Sequence, residues 1–216
     1  MTADTLPDWL RPLAELSSTI EAEVLSPTFV SVPDDARAAS VLMLFADGVD
    51  GPELLLTERG LTMRNHAGQI AFPGGKADPG DADAIQTALR EAQEEVGLDP
   101  ATVDVFGVLP TLWLPITDFA VTPVLGYWRE PKPLLSTSDH EVVTVIHRPI
   151  RSMLDPANRF SVAHPSGYVG PAFDVGTPMP LWGFTAGVVS RLFAALGWEE
   201  PWDTSVLREL PPKPRG

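Results

Sequence analysis

The chain contains no cysteine. Disulfides, thiolate metal sites and a cysteine nucleophile are therefore excluded. Positive charge is scarce too. Fifteen lysines and arginines stand against 29 aspartates and glutamates, for a formal net charge of −14. A surface of that sign repels phosphate backbones and anionic lipid, so neither nucleic acid nor membrane is an expected partner. A small anionic ligand would need a local basic patch or a metal ion. No apolar run approaches the ~18 residues that a membrane-spanning helix needs. The opening stretch MTADTLPDW is acidic and lacks an apolar segment, so it does not read as a secretory signal. The closing PPKPRG reads as no anchor or address. The expectation is a soluble cytoplasmic protein that is either a monomer or a homodimer.

What is present suits one compact domain with extra segments. The chain has 216 residues, 44% of them hydrophobic. Its 23 prolines read as many fixed loops, because apolar runs persist between them. We expect an N-terminal helical extension over 1–35, the main domain over 36–200 and a loosely ordered tail over 201–216. A helix is predicted over 7–24. SVLMLF (40–45) and ELLLTER (53–59) read as a hairpin around the turn DGVDGP. Further strands are predicted over 68–72, 103–109, 119–128, 141–149, 159–163 and 168–173, and a C-terminal helix over 180–196. Strands and helices mix without strict alternation, which predicts a mixed sheet with helices packed on it. Trp113, Trp128 and Trp182 read as core rather than stacking platforms. His140, His147 and His164 show no metal spacing.

The clearest helix is DADAIQTALREAQEEVG (81–97). Asp81 or Asp83 can cap its start, Gly97 suits its end and Pro100 blocks continuation. With Glu91 set at zero and about 100° per residue, Ile85, Leu89, Ala92 and Val96 cluster at about 100–160° as a buried stripe. Glu91, Glu94 and Glu95 fall away from it, as polar residues do on any amphipathic helix. The charge pattern is less ordinary. Arg90 can pair with Glu94 at i,i+4, but Glu91 and Glu95 face each other, and like charges at that spacing cost a few tenths of a kcal/mol. They also lie in the last turns, where the macrodipole disfavours negative charge. A divalent cation between the carboxylates would remove both penalties, and Mg²⁺ suits an all-oxygen set of this kind.

The basic residues add a second clue. No lysine or arginine occurs over 38–58 or 91–128. Between these gaps stand Arg59, Arg64, Lys76 and Arg90, with His66 among them. They surround a glycine pair, Gly74 and Gly75, able to offer backbone N–H groups to an anion. Metal-binding carboxylates beside phosphate-binding cations are what phosphoryl chemistry needs.

These residues carry a resemblance. GGKADPGDADAIQTALREAQEEVGL (74–98) resembles the Nudix box, in which a glycine and a glutamate precede an Arg-Glu…Glu-Glu core. The second half matches closely at Arg90, Glu91, Ala92, Glu94, Glu95, Gly97 and Leu98. The first half departs: Asp81 stands where the pattern has glutamate, and eight residues rather than seven separate it from Arg90. LLTERGLTMRNHAGQIAFPGG (55–75) resembles the segment preceding the box in coenzyme A pyrophosphatases. ITDFAVTPVLGYW and PLWGFTAGVVSRL look like later segments of that subfamily.

The resemblance implies an α/β/α sandwich of the α+β type with a mixed sheet. It implies Mg²⁺- or Mn²⁺-dependent hydrolysis of a nucleoside diphosphate derivative. For coenzyme A the products would be 3′,5′-ADP and 4′-phosphopantetheine. It makes Glu91 and Glu95 metal ligands, in agreement with their i,i+4 spacing. Glu94 would complete the metal set or handle the attacking water, and Arg90 would position the glutamates. Arg59, Arg64 and Lys76 become candidates for substrate phosphates, with His66, Gln69, Gly74 and Gly75 in the same binding block. The alternatives are a Nudix hydrolase of ADP-ribose, a dinucleotide or a nucleoside triphosphate, and a non-catalytic nucleotide-binding module.

Overall fold

The computed structural model describes residues 6–26, 31–60, 68–134, 142–164 and 167–211. Its centre is a mixed sheet. Strands β1 (Arg37–Gly48) and β2 (Gly51–Arg59) form the predicted hairpin. β7 (Phe119–Trp128) runs parallel to β1 on its other side, from Arg37↔Phe119 to Ala46↔Trp128. β5 (Val103–Val108) and the short β6 (Leu112–Leu114) pair antiparallel with β7. β3 (Ile70–Ala71) and β8 (Val142–Pro149) pair with β2. β4 (Gly74–Lys76) pairs antiparallel with the first half of β1.

Both faces of this sheet are covered, and the strand sequences show why. In β1, Leu42 and Leu44 join one buried cluster, while Met43 and Phe45 join another. In β2, Leu55 goes to the first face and Leu54 and Leu56 to the second. Strands apolar at every position are the mark of a sheet buried on both sides. One face is covered by α3 (Ala84–Val96) through Ala88, Ala92 and Val96. The other is covered by α1 (Arg11–Ser17), α2 (Ala22–Leu25) and α5 (Gly183–Ala195), through residues such as Leu13, Leu25 and Val189. This is the expected α/β/α sandwich. Burying each large side chain of this core contributes about 1.5–3 kcal/mol before entropy is counted.

A second, three-stranded sheet joins β9 (Arg159–Ala163), β10 (Val169–Phe173) and β11 (Leu207–Glu209), after the short α4 (Ile150–Leu154). The structure corrects the element boundaries at several points. The helix predicted over 7–24 is a 3-10 turn (Asp8–Leu10) followed by α1 and then, after a break, α2. The break has a local cause. Ser17, Ser18 and Thr19 turn their hydroxyls back onto the carbonyls of Ala14, Glu15 and Leu16, which competes with helix propagation. β4, β6 and α4 were not expected from sequence. Within the segment expected to be a loose tail, Leu207–Glu209 instead pairs in parallel with β9. Among the described residues no helix is long and apolar enough to cross a membrane.

Candidate active site

Helix α3 forms where its signals predict. Asp83 caps it, accepting from Gln86 N, and Gly97 ends it with a left-handed φ of 69°. Its hydrophobic stripe is as read, with Ala92 and Val96 buried and Ile85 and Leu89 packed more peripherally. One position departs. Glu95 was expected away from the core, yet it is only 5% exposed. β4 runs along that flank of the helix and closes over it. Gly74 N donates to Glu95 Oε2 at 3.1 Å, and Arg59 Nη1 from β2 lies 3.9 Å from Glu95 Oε1.

The glycine pair makes this approach possible. A Cβ on Gly75 would lie 2.5 Å from the Glu91 carboxyl carbon. A Cβ on Gly74, whose φ is 154°, would strike the Ser40 carbonyl oxygen and stand 2.6 Å from Val41 Cα. A larger residue at 75 would displace the Glu91 carboxylate, and one at 74 would push β4 off β1. The expected bare repulsion between Glu91 and Glu95 is therefore partly relieved, because each carboxylate has partners of its own.

Arg90 organises the rest. Its Nε and Nη2 grip Asp81 in a fork, at 3.0 Å to Oδ1 and 2.9 Å to Oδ2. Nη1 donates to Glu91 Oε1 and Glu94 Oε2, both at 2.9 Å, and Nη2 also reaches the Lys76 carbonyl at 3.0 Å. Asp81 accepts in addition from Thr87 Oγ1 and Asp78 N. The extra residue before the helix thus still delivers a carboxylate to Arg90. The Arg90 hydrogen bond, with help from the Asp78 N–H, holds the Asp81 carboxyl well below the usual carboxylate range. Arg90 is raised in turn, chiefly by Asp81. Burial pushes Glu91 up from its ordinary value, and Arg90 opposes that shift.

The predicted residues are brought together unevenly. Glu91, Glu95, Gly74, Gly75, Arg59 and Arg90 converge where β4 meets α3. Glu94 joins through Arg90 but points outward, with its side chain 57% exposed. Lys76 is exposed and contributes its carbonyl to Arg90. Gln69 sits in a backbone ladder, its carbonyl accepting from Arg59 N at 3.0 Å. Arg64 and His66 lie outside the described residues. The sequence marks Asp81 as a possible helix cap and as the residue standing where the Nudix box has glutamate, but not as the partner of Arg90.

Could these residues hold a cation? Their donors are all carboxylate oxygens, the hard ligands that Mg²⁺ and Mn²⁺ prefer. Five carboxylates (Asp78, Asp81, Glu91, Glu94 and Glu95) face two guanidiniums (Arg59 and Arg90), so negative charge is in excess. Among the described residues no three acidic or histidine groups form a ready cage. That fits an ion held by one or two carboxylates, its shell completed by water and phosphate oxygens.

The chain's relatives agree with this chemistry. A family model described as the NUDIX domain matches residues 35–150. An uncharacterized Nudix hydrolase NudL of Cronobacter sakazakii is 41% identical over 185 residues, spanning 83% of this chain and 92% of that protein. Its namesake in Escherichia coli K12 is 37% identical over 199 residues, spanning 89% of this chain and 95% of its own length. In fold, the chain resembles the Nudix hydrolase RenU of M. smegmatis with a TM-score of 0.54 and 19% identity, over 78% of this chain and 90% of that one. It also resembles a NUDIX hydrolase of Alicyclobacillus acidocaldarius, with a TM-score of 0.53 and 21% identity, over 80% and 98% of the two chains. The chain belongs to the Nudix hydrolases, pyrophosphohydrolases of nucleoside diphosphate derivatives that generally use divalent metal ions.

Proposed function

We propose that this Nudix hydrolase cleaves the diphosphate of coenzyme A or its derivatives, giving 3′,5′-ADP and 4′-phosphopantetheine or its acyl form. One observation carries the reading. Arg59 and Gly74, from the segment that resembles coenzyme A pyrophosphatases, both reach Glu95 of the Nudix box. The two sequence blocks therefore build a single site.

Glu91 and Glu95 are the carboxylates we assign to Mg²⁺ or Mn²⁺. When bound, such an ion neutralises phosphate charge and acidifies water. Arg90 is a positioning residue. Anchored on Asp81, it fixes one oxygen each of Glu91 and Glu94. Glu94 is exposed and adjacent, so we assign it the attacking water: it accepts the proton as the water oxygen bonds to one phosphorus. The bridging P–O bond breaks, and the other phosphate leaves with the bridging oxygen. No covalent intermediate with the protein is needed. Arg59 is assigned to a substrate phosphate. Its Nε is buried without a hydrogen-bond partner among the described residues, and an unsatisfied guanidinium N–H is suited to a phosphate oxygen. Lys76, Gly74, Gly75 and Gln69, with Arg64 and His66, complete the proposed binding set.

The test is a panel of coenzyme A, ADP-ribose and a dinucleoside polyphosphate, each with Mg²⁺, with Mn²⁺ and with chelator. Coenzyme A is expected to be the preferred substrate, with 3′,5′-ADP released only when metal is present. Higher kcat/KM for ADP-ribose than for coenzyme A would overturn the substrate assignment. Glu91→Gln and Glu95→Gln are each expected to lower kcat at least a hundredfold. Turnover within a few-fold of wild type would overturn the metal assignment.

A further inference from the structure

We propose that Trp113 binds the base of the nucleotide, which makes it a specificity-determining residue of this site. Strand register places the indole. Gly75, which abuts Glu91, pairs with Ser40, and Ser40 pairs with Thr122. Trp113 pairs with Ala120, two residues from Thr122 on β7. Directly paired residues, and residues two apart on a strand, share a face. Trp113 therefore stands on the face of the sheet that carries the glutamate helix.

It also stands level with the site. Ala77, just after β4, donates its N–H to the Ala38 carbonyl. Ala38 pairs with Ala120, and Ala120 pairs with Trp113. A single row thus crosses the sheet from the glycine strand to the indole. Three strand spacings put Trp113 about 14 Å from β4, within the reach of a nucleoside laid out from its diphosphate. Between the two ends the row carries only methyl groups, and Ala38 is exposed.

The indole itself is unfinished. Trp113 is half-buried, and its Nε1 is buried with no hydrogen-bond partner among the described residues. Trp128 offers a contrast within the same fold, since its Nε1 donates to Thr102 Oγ1 at 3.0 Å. A buried indole N–H left unpaired is costly, and buried tryptophans usually find an acceptor. That N–H lies buried in the indole plane and is out of reach of a base stacked on the ring; what a planar heterocycle supplies is a face for the half-buried indole.

The inference takes its ligand from the coenzyme A reading, but its location from the register alone. The experiment separates the two. Calorimetry with Mg²⁺ measures binding of 3′,5′-ADP, which carries the base, and of 4′-phosphopantetheine, which does not. Wild type is compared with Trp113→Ala and Trp113→Phe. Trp113→Ala is expected to weaken 3′,5′-ADP about tenfold or more, the worth of one stacked base. It should raise the KM for coenzyme A similarly, with kcat within threefold and 4′-phosphopantetheine unaffected. Trp113→Phe keeps an aromatic face of smaller area, and is expected to weaken 3′,5′-ADP about threefold through the lost stacking area. Unchanged 3′,5′-ADP affinity in both variants overturns the proposal. So does equal weakening of the two halves, or a wild type that binds no base-bearing nucleotide. If wild type hydrolyses ADP-ribose but not coenzyme A, the coenzyme A reading falls. The same variants are then titrated with AMP, where loss of affinity supports the role of Trp113 and unchanged affinity overturns it.

Discussion

Single side chains decide whether the carboxylates of this site stay in place. Gly75 is the sharpest case, because a Cβ there would occupy the space of the Glu91 carboxylate. Gly75→Ala is expected to lower kcat at least tenfold in a protein that still folds, read by steady-state kinetics beside a thermal melt. Wild-type kcat would show that Glu91 does not need this contact. Asp81 makes a different prediction. Arg90 holds its carboxyl below the ordinary range, so the folded state binds the Asp81 proton more weakly than the unfolded chain does. The stability this contributes is present above the unfolded pKa of about 3.9 and is lost as pH falls through the lower folded value. Asp81→Asn should therefore be less stable than wild type at neutral pH, and the gap should close on acidification below about pH 4. Urea titrations at a series of pH values measure it, and a gap constant with pH would count against the ionised pair. The pairing of Arg90 with Glu94 was legible in the sequence, since i,i+4 geometry is local. The burial of Glu95 was not, because it depends on a strand that packs beside the helix from elsewhere in the chain.

Elements differ in how much of their cause is local. Helix α3 carries its own instructions: an aspartate cap, an apolar stripe and a terminal glycine. Its stability should therefore yield to local change. Asp83→Ala removes the side chain that accepts from Gln86 N and is expected to cost about 1 kcal/mol in chemical denaturation. Asp83 lies two turns from Glu91, so kcat should stay within about twofold. A tenfold loss of kcat would mean that the cap also orders the site. Strand β4 is the opposite case. Two of its three residues are glycines, which disfavour strands by themselves. It exists because Ser40 and Val41 of β1 offer a ladder, with Gly74 fitting against β1 and Gly75 against Glu91 of α3. β6 was hidden between Pro110 and Pro115, and β11 was hidden in a polar tail, because pairing with distant strands creates both. Thus the hairpin and the glutamate helix could be read from the sequence, while the short strands that frame the candidate site could not.

At the scale of the whole molecule, the segments outside the hairpin and α3 are fastened by polar pins, exposed at Asp47 and buried at Arg159. Near the N-terminus Asp47 accepts from Trp9 Nε1 and from Tyr127 OH, while Leu10 and Leu13 are fully buried in the main core. The C-terminal segment is held by Arg159. Its side chain has no exposure, and its guanidinium lies 4.4 Å from the Phe173 ring centroid and 4.6 Å from that of Trp202. It donates to Glu199 Oε1 at 2.9 Å and to Ser190 Oγ at 2.8 Å. Trp202 Nε1 donates to the same Glu199 oxygen at 3.1 Å. Burial lowers the Arg159 pKa, and Glu199 opposes that shift. A buried charge of this kind destabilises the fold strongly once its partner is removed, while replacing both partners by apolar groups is often neutral. Glu199→Gln is therefore expected to cost about 3–5 kcal/mol. The double variant Arg159→Met, Glu199→Leu should recover most of that loss, because no buried charge remains. Urea unfolding of wild type, Arg159→Met, Glu199→Leu and the double variant gives the coupling directly. Additive losses would show that Arg159 acts through its packing between the rings rather than through its charge, and the C-terminal strand would then be held by apolar contact alone.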